Sequence, residues 1–419
     1  VIYRAVDVLG FAGGFTLGVV QSGFTLVGKR ELPGAFGVAN CEVNRHLLGD
    51  AWSTEVGEPE TWTIPPGGVD LVFGNPPCSA WSVMSSKDFR GAESKILGCT
   101  WAFVNYVARV RPYVAVFESV QQAFTKPDGR ALMTHLRDHL ETQTGDRWTL
   151  YHVRHNAYEL GGAAERRRYF WVASRIPFGI EPPQLGRRPV LTEVLNDLDG
   201  LANTWQAQPY RRPPTWWTKT RRSDTGLVDG HSTHDTPLTR RVFDLIQSVG
   251  WRPGESISQV ARRCWEQTGS LPPSFASTQA KIVDKNFMMG FTTPVRWRGN
   301  APGRVITGGS LVMVIHPTAD RMITHREAAR ILGFPDDWRL LPLRGSSGLQ
   351  MTHGKGITVD CGRWIGSWVR RALDGSPGTY VGVSVGDREF DVDVTYPART
   401  HRLRPGKVVI TEMKNRENA

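Results

Sequence analysis

Three places along this chain have residue types suited to chemistry. Cys78 lies in Gly74-Asn75-Pro76-Pro77-Cys78-Ser79-Ala80-Trp81-Ser82, directly after the apolar run Val69-Asp70-Leu71-Val72-Phe73. The run reads as a buried strand, and Gly74 with two prolines stops it. A thiol is thereby placed on a rigid turn past a strand end, where open α/β sheets hold their ligands, and as thiolate it is a nucleophile. Taken alone, Cys78 also reads as a small buried hydrophobe. Glu118 follows a second buried run, Val114-Ala115-Val116-Phe117. A carboxylate there is costly unless it has a partner or faces solvent. Arg166-Arg167-Arg168 is either a solvated face or a cationic cluster, and it leads straight into an apolar strand over 168–173.

Other residues are suited to binding. After a strand over 3–9 comes Gly10-Phe11-Ala12-Gly13-Gly14-Phe15-Thr16-Leu17-Gly18, with helical turns from 17 onward. Strand, glycine turn and helix together bring backbone close to a nucleotide-like ligand. A strand over 25–28 leads to Glu31, eighteen residues past Gly13. An acid at that spacing binds ribose hydroxyls or is an ordinary solvated carboxylate. Asp50 follows a helical stretch over 37–48 and is placed at the end of a third strand. Arg211, Arg212, Lys219, Arg221 and Arg222 surround the adjacent Trp216 and Trp217 with no acidic residue between them. Cations interleaved with aromatics compose a nucleic-acid surface, or a basic loop with tryptophans in a local core.

The elements that must position these residues follow from patterning. With 419 residues, 40% hydrophobic and 22% charged, the chain has room for two domains and a sizeable core. A net charge of +11 favours a polyanionic partner, nucleic acid first. Five scattered cysteines without a CxxC pair argue for reduced thiols and against structural zinc. No run reaches transmembrane length and no signal-peptide pattern is present, so a cytoplasmic protein is expected. Helices are expected over 96–110, 132–140, 240–249, 258–268, 324–332 and 360–373. The 324–332 helix carries a Thr324/Glu327 capping box and a Gly333 stop. Strands are expected over 151–155 and 168–173, and short ones over 380–385, 390–395 and 407–411. Alternation of strand and helix fades over 174–310. The fold class is therefore α/β, a mostly parallel sheet with helices on both faces plus a smaller irregular domain. The expected division is a core over 1–173, a separate domain over 174–310, a return to the core over 311–375 and a short β-rich extension over 376–419.

In this order the pieces resemble the DNA cytosine-5 methyltransferase family. Asp7-Val8-Leu9-Gly10-Phe11-Ala12-Gly13-Gly14 looks like its cofactor loop, Asp-Leu-Phe-x-Gly-x-Gly-Gly. Pro77-Cys78 matches the catalytic Pro-Cys, and Asp88-Phe89-Arg90-Gly91 resembles the end of the catalytic loop. Glu118-Ser119-Val120 stands where the family has Glu-Asn-Val. Asn156-Ala157, Gly161 and Arg166-x-Arg168 match its Asn-Ala…Gly-x-Pro-Gln-x-Arg-x-Arg segment. Arg326-Glu327-Ala328-Ala329-Arg330 with Gly333-Phe334-Pro335-Asp336 is similar to its late helix, and Gly354-Lys355-Gly356-Ile357-Thr358-Val359 to its Gly-Asn-x-Val-Pro. The likeness covers 3–173 and about 315–373, and 174–310 falls where the family keeps its variable target-recognition domain.

The resemblance implies a Rossmann-like S-adenosylmethionine-dependent methyltransferase core acting on double-stranded DNA, without a metal and as a monomer, in a prokaryotic or phage-infected cell. It implies that Cys78 adds to carbon 6 of a flipped cytosine while Glu118 serves ring nitrogen 3 and Arg168, with Arg166, holds the base carbonyl. Asp7, Leu9, Phe11, Gly13, Gly14, Glu31, Asp50 and Lys355 fall at cofactor positions. Ser82, Arg90 and the basic, tryptophan-bearing residues of 211–222 are the expected DNA contacts. Four positions depart from the family: Ala164 for glutamine, Ser119 for asparagine, Phe11 for glycine (with Leu9 where an aromatic is usual), and Lys355 for asparagine. A lysine beside a sulfonium suits a donor carrying a carboxylate, carboxy-S-adenosylmethionine. The alternatives for Lys355 are solvent, the methionine carboxylate or a DNA phosphate. Two other readings of the whole chain stay open, an inactive DNA-binding homologue and an RNA cytosine methyltransferase.

Overall fold

The computed structural model describes residues 1–11, 13–33, 41–42, 44–49, 52–78, 80–81, 94–182, 188–198, 237–278, 294–306, 313–338 and 356–394. These form two compact units. One comprises Val1–Gly162, Arg166–Arg188 and Gly356–Ala419, the other Ala163–Glu165 and Pro189–Lys355.

The first unit is built on a nine-stranded sheet: β1 (Tyr3–Val8), β2 (Phe24–Glu31), β3 (Ser53–Val56), β4 (Leu71–Gly74), β5 (Val114–Ser119), β6 (Thr149–Asn156), β7 (Arg167–Ser174), β8 (Val383–Gly386) and β9 (Glu389–Asp393), in the order β8-β9-β6-β7-β5-β4-β1-β2-β3. β1 pairs in parallel with both β2 and β4, so the winding direction reverses between β1 and β4. Ligands of open sheets bind at this switch point. β4 and β5 are buried throughout, as the apolar runs required for strands covered on both faces. β7 is antiparallel to β5 and β6, so its first residues arrive at the edge where β4 and β5 end. The chain after β7 stays with this unit, because the Ile180 amide donates to the Tyr380 carbonyl at 2.9 Å. The two strands near the C-terminus extend the main sheet, with β9 parallel to β6.

Helix Gly14–Gln21 packs on helix Val359–Leu373 through glycines. A Cβ on Gly18 would fall 2.4 Å from the Val359 carbonyl oxygen and the Arg363 amide, and one on Gly362 2.9 Å from the Phe15 carbonyl oxygen. Only hydrogen at these positions lets the two backbones touch. The helix that follows the glycine-rich loop is therefore locked to one more than three hundred residues later in the chain.

In the second unit, helices Pro237–Val249 and Ile257–Thr268 share a core of Val242, Leu245, Ile246, Trp251, Ile257, Val260 and Cys264 with Ile315 and Met322. Helix His325–Ile331 has the capping box read from sequence. The Thr324 hydroxyl accepts from the Glu327 amide at 3.1 Å, and the Glu327 carboxylate accepts from the Thr324 amide at 2.8 Å. Arg330 of this helix donates to the Val194 carbonyl at 3.1 Å and pairs with Asp197. The units thus divide near 188 and 355, where the sequence reading has boundaries at 173 and 310. The third strand, β3, lies after position 50, so Asp50 precedes it and does not end it. The expected strand over 407–411 lies outside the described residues, as do positions 37–40 and 43 of the expected 37–48 helix, of which Arg45–Leu48 is helical. Among the described residues no helix is long and apolar enough to cross a membrane, and no cluster of three His, Cys, Asp or Glu side chains could hold a metal.

Gly18→Val should lower stability by about 1–3 kcal/mol, because two backbones cannot separate locally. Gly98→Ala, at a helical glycine with nothing within 4 Å of a Cβ, should be neutral or stabilise by up to about 1 kcal/mol. Urea midpoints of the two variants check the packing; equal midpoints would overturn it.

Candidate active site

Cys78 stands four residues past the end of β4, half-buried. Glu118 is buried near the end of β5, and β7 carries Arg168 to it at 2.8 Å, Nε to Oε1. The Asn75 side-chain amide donates to the other carboxylate oxygen, Oε2. Asn75 is a site residue to which the sequence reading gives no role, although it lies in the same stretch as Cys78. Burial pushes the Glu118 pKa up to about 7, against the opposing pull of Arg168, Arg166 and the Asn75 bond. A carboxyl with that pKa exchanges its proton near neutrality.

Arg166 is fully buried, and burial with the neighbouring Arg168 charge lowers its pKa. Its amide donates to Asn156 Oδ1 at 2.9 Å and its Nη2 to the Gly356 carbonyl at 2.6 Å. This ties the start of β7 to the segment that enters helix Val359–Leu373. The Cys78 thiol is raised by burial and then by the Glu118 charge, while Arg168 and Arg166 pull it down. Cys78, Glu118, Arg166 and Arg168 therefore share one electrostatic site at the carboxyl edge of β4 and β5.

The binding loop occupies the same edge. Leu9 (φ 61°), Phe11 (φ 57°) and Gly13 (φ 88°) all have left-handed backbone. For the two non-glycine residues this conformation costs about 1–3 kcal/mol each, so the surroundings must enforce it. The Leu9 amide donates to the Arg30 carbonyl at 2.8 Å, and the Phe11 amide to Glu31 Oε1 at 3.1 Å. Beneath the loop lies Asp7. Its Oδ2 accepts from Thr16 Oγ1 at 2.6 Å and from Lys29 Nζ at 2.7 Å, and a Cβ on Gly10 would fall 1.9 Å from its Oδ1. Position 10 must be glycine for the loop to cross this carboxylate.

S-adenosylmethionine offers a ribose diol and a methionine carboxylate, and this edge fits both. Glu31, the last residue of β2, presents a carboxylate acceptor. Helix Gly14–Gln21 starts at left-handed Gly13 with no side-chain cap among the described residues, and the first amides of a helix suit an anion. Asp50, Lys355, Ser82, Arg90, Arg211, Arg212, Trp216, Trp217, Lys219, Arg221 and Arg222 lie outside the described residues.

The charge balance at Cys78 is testable without substrate. Glu118→Gln removes a charge that raises the thiol pKa, so site-resolved iodoacetamide labelling of Cys78 at pH 8 should accelerate by up to roughly tenfold, the worth of one pKa unit. Arg168→Gln should slow it. Unchanged rates in both variants would separate the thiol from the pair.

The family model for C-5 cytosine-specific DNA methylases matches residues 3–369. The type II methyltransferase M.XorII of Xanthomonas oryzae pv. oryzae is 23% identical over 96% of this chain and 95% of its own length. The DNA (cytosine-5)-methyltransferase 1A of rice is 23% identical over 88% of this chain, which spans only 28% of that much longer protein. A crystal structure of a candidate DNA modification methyltransferase encoded within an E. coli prophage superposes with a TM-score of 0.62 at 16% identity, covering 89% of this chain and 99% of that one, and so shares the fold. With a family match running through both units and across the edge that holds Cys78 and Glu118, the chain belongs to the C-5 cytosine-specific DNA methylase family.

Proposed function

We propose that this protein transfers an alkyl group, a methyl or a carboxymethyl, to carbon 5 of cytosine in double-stranded DNA, with Cys78 as nucleophile. The observation that carries the reading is the buried Glu118 carboxyl, braced by Asn75 and Arg168, in the same electrostatic site as the Cys78 thiol. Carbon 5 of cytosine is a poor nucleophile. Addition of the Cys78 thiolate to carbon 6 forms the S–C6 bond and pushes an electron pair through the ring, making carbon 5 enamine-like. Ring nitrogen 3 takes up the resulting charge, and Glu118 in its protonated form supplies the proton there. Arg168 holds Glu118 in place and, with Arg166, favours the thiolate. Glu31 and the Gly13–Gly14 amides would hold S-adenosylmethionine, which would supply the electrophilic methyl to carbon 5 and leave as S-adenosylhomocysteine. Return of the nitrogen-3 proton to Glu118 and loss of the carbon-5 proton to a base then expel the Cys78 thiolate and restore the ring. The base must leave the duplex stack to meet Cys78, at a cost of a few kcal/mol. The basic residues of 211–222 suit the phosphates of that duplex.

Cys78→Ala should abolish transfer to duplex DNA while leaving duplex binding intact, and duplex containing 5-fluorocytosine should form a covalent adduct with the unaltered protein only. Nucleoside mass spectrometry and denaturing gels read both. Unmodified DNA and no adduct would point to a DNA-binding homologue without activity, and modification of RNA alone to an RNA enzyme.

The donor is the finer part of the proposal. A lysine at 355 near a sulfonium, with two like charges about 4 Å apart at an effective dielectric of about 20, is repelled by roughly 4 kcal/mol. A carboxylate on the transferred carbon turns that repulsion into attraction. We therefore propose carboxy-S-adenosylmethionine as the preferred donor and 5-carboxymethylcytosine as the product. With both donors in competition, the unaltered protein should yield 5-carboxymethylcytosine, and Lys355→Asn should shift the product to 5-methylcytosine. An unchanged product ratio would remove Lys355 from donor choice.

A further inference from the structure

Lys29 is a lysine inside a buried strand. It is 0% exposed in β2, opposite Asp7 of β1 in the strand register. Its ammonium lies 2.7 Å from Asp7 Oδ2 and 3.0 Å from Glu31 Oε1, and both carboxylates are buried. A buried ammonium without such partners would lose its proton. Here burial acts to lower the Lys29 pKa, and Asp7, Cys41 and Glu31 override it and raise it. The triad carries one positive and two negative charges, directly beneath the loop of left-handed residues. Glu31 Oε1 is committed twice, to Lys29 and to the Phe11 amide at 3.1 Å.

We propose that Lys29 is a positioning residue for the cofactor: by engaging Oε1 of Glu31 while gripping Asp7 below the loop, it fixes the Glu31 carboxylate and leaves Oε2 as the acceptor for a ribose hydroxyl. Lys29 acts through Glu31 and does not itself touch the ligand. Its second grip, on Asp7, shares an oxygen with Thr16, so one ammonium links β1, β2 and the first helix around the ligand loop. Nothing in the chemistry of group transfer requires a cation here; what requires it is the burial of two carboxylates side by side, which repel each other unless a charge lies between them.

The inference rests on S-adenosyl ligand binding as read above, and the test separates the two. Isothermal titration with S-adenosylhomocysteine is carried out on the unaltered protein, Lys29→Met, Glu31→Gln and the double variant. Lys29→Met should weaken binding about tenfold or more, and the double variant should bind no more weakly than Glu31→Gln alone, because Lys29 has nothing left to position. Unaltered affinity in Lys29→Met, or losses that simply multiply in the double variant, would overturn the inference. Where Lys29→Met does not fold, the double variant, which removes an ammonium and a carboxylate together, still allows comparison with Glu31→Gln. If neither lysine variant folds while Glu31→Gln does, Lys29 serves the fold alone and the inference falls. No binding by the unaltered protein would end the cofactor reading itself, whereas binding without coupling would end only the role of Lys29.

Discussion

A carboxylate buried at the end of β5 must be matched by positive charge, and much of the first unit can be understood from that requirement. Leaving Glu118 without a partner would cost several kcal/mol. Arg168 reaches it because β7 is antiparallel, and an antiparallel strand beginning at this edge delivers its first residues beside the last residues of β5. Arg166, two residues earlier, is buried in turn; its amide donates to Asn156 and its guanidinium to the Gly356 carbonyl. That bond draws in the entry to the last long helix, whose glycines fit against the first helix. One buried charge thus links β5, β7 and chain segments nearly two hundred residues apart.

The second buried charge cluster follows the same logic with the signs reversed. Asp7 and Glu31 are two anions on adjacent strands, and Lys29 lies between them. Both clusters lie at the carboxyl edge of the sheet, one beside the thiol and the other beneath the ligand loop. In each, a charged side chain is costly to bury alone and is stable as part of a set. This concentrates the polar interior of the unit at the edge that holds the proposed site and leaves the strand centres to Val, Ala and Phe.

The parts of this arrangement that were legible in sequence are those with short-range signals. Val114-Ala115-Val116-Phe117 is a buried strand by composition, Thr324 and Glu327 form a capping box by spacing, and Pro76-Pro77 stop β4 by covalent structure. Lys29 was missed because a lysine in Leu26-Val27-Gly28-Lys29-Arg30-Glu31 reads as a surface residue until the register sets it opposite Asp7. Asn75 was in view without a role, because its partner Glu118 lies forty-three residues away and only strand pairing brings them together. β3 was illegible for a different reason. Ser53–Val56 is a polar edge strand, partly exposed, with no apolar alternation to mark it. The strands β8 and β9 could be seen as short strands but not as part of the main sheet. Their attachment depends on Arg137, Arg130 and Arg154 meeting Glu389, Asp391 and Asp393, pairs separated by more than two hundred residues.

That attachment also sets the polarity of the chain's two exits. β9 runs parallel to β6, and β6 runs in the same direction as β5, since both are antiparallel to β7. β9 therefore ends at the edge where Cys78 and Glu118 lie, whereas β1 begins at the opposite edge. A module fused ahead of the first strand would approach from behind the reactive edge and leave it accessible. The same module inserted directly after β9 would be tethered at that edge, where it would compete with an incoming duplex or help to recruit one. For this sheet, choosing between the start of β1 and the end of β9 as a point of insertion is a choice about access to the substrate.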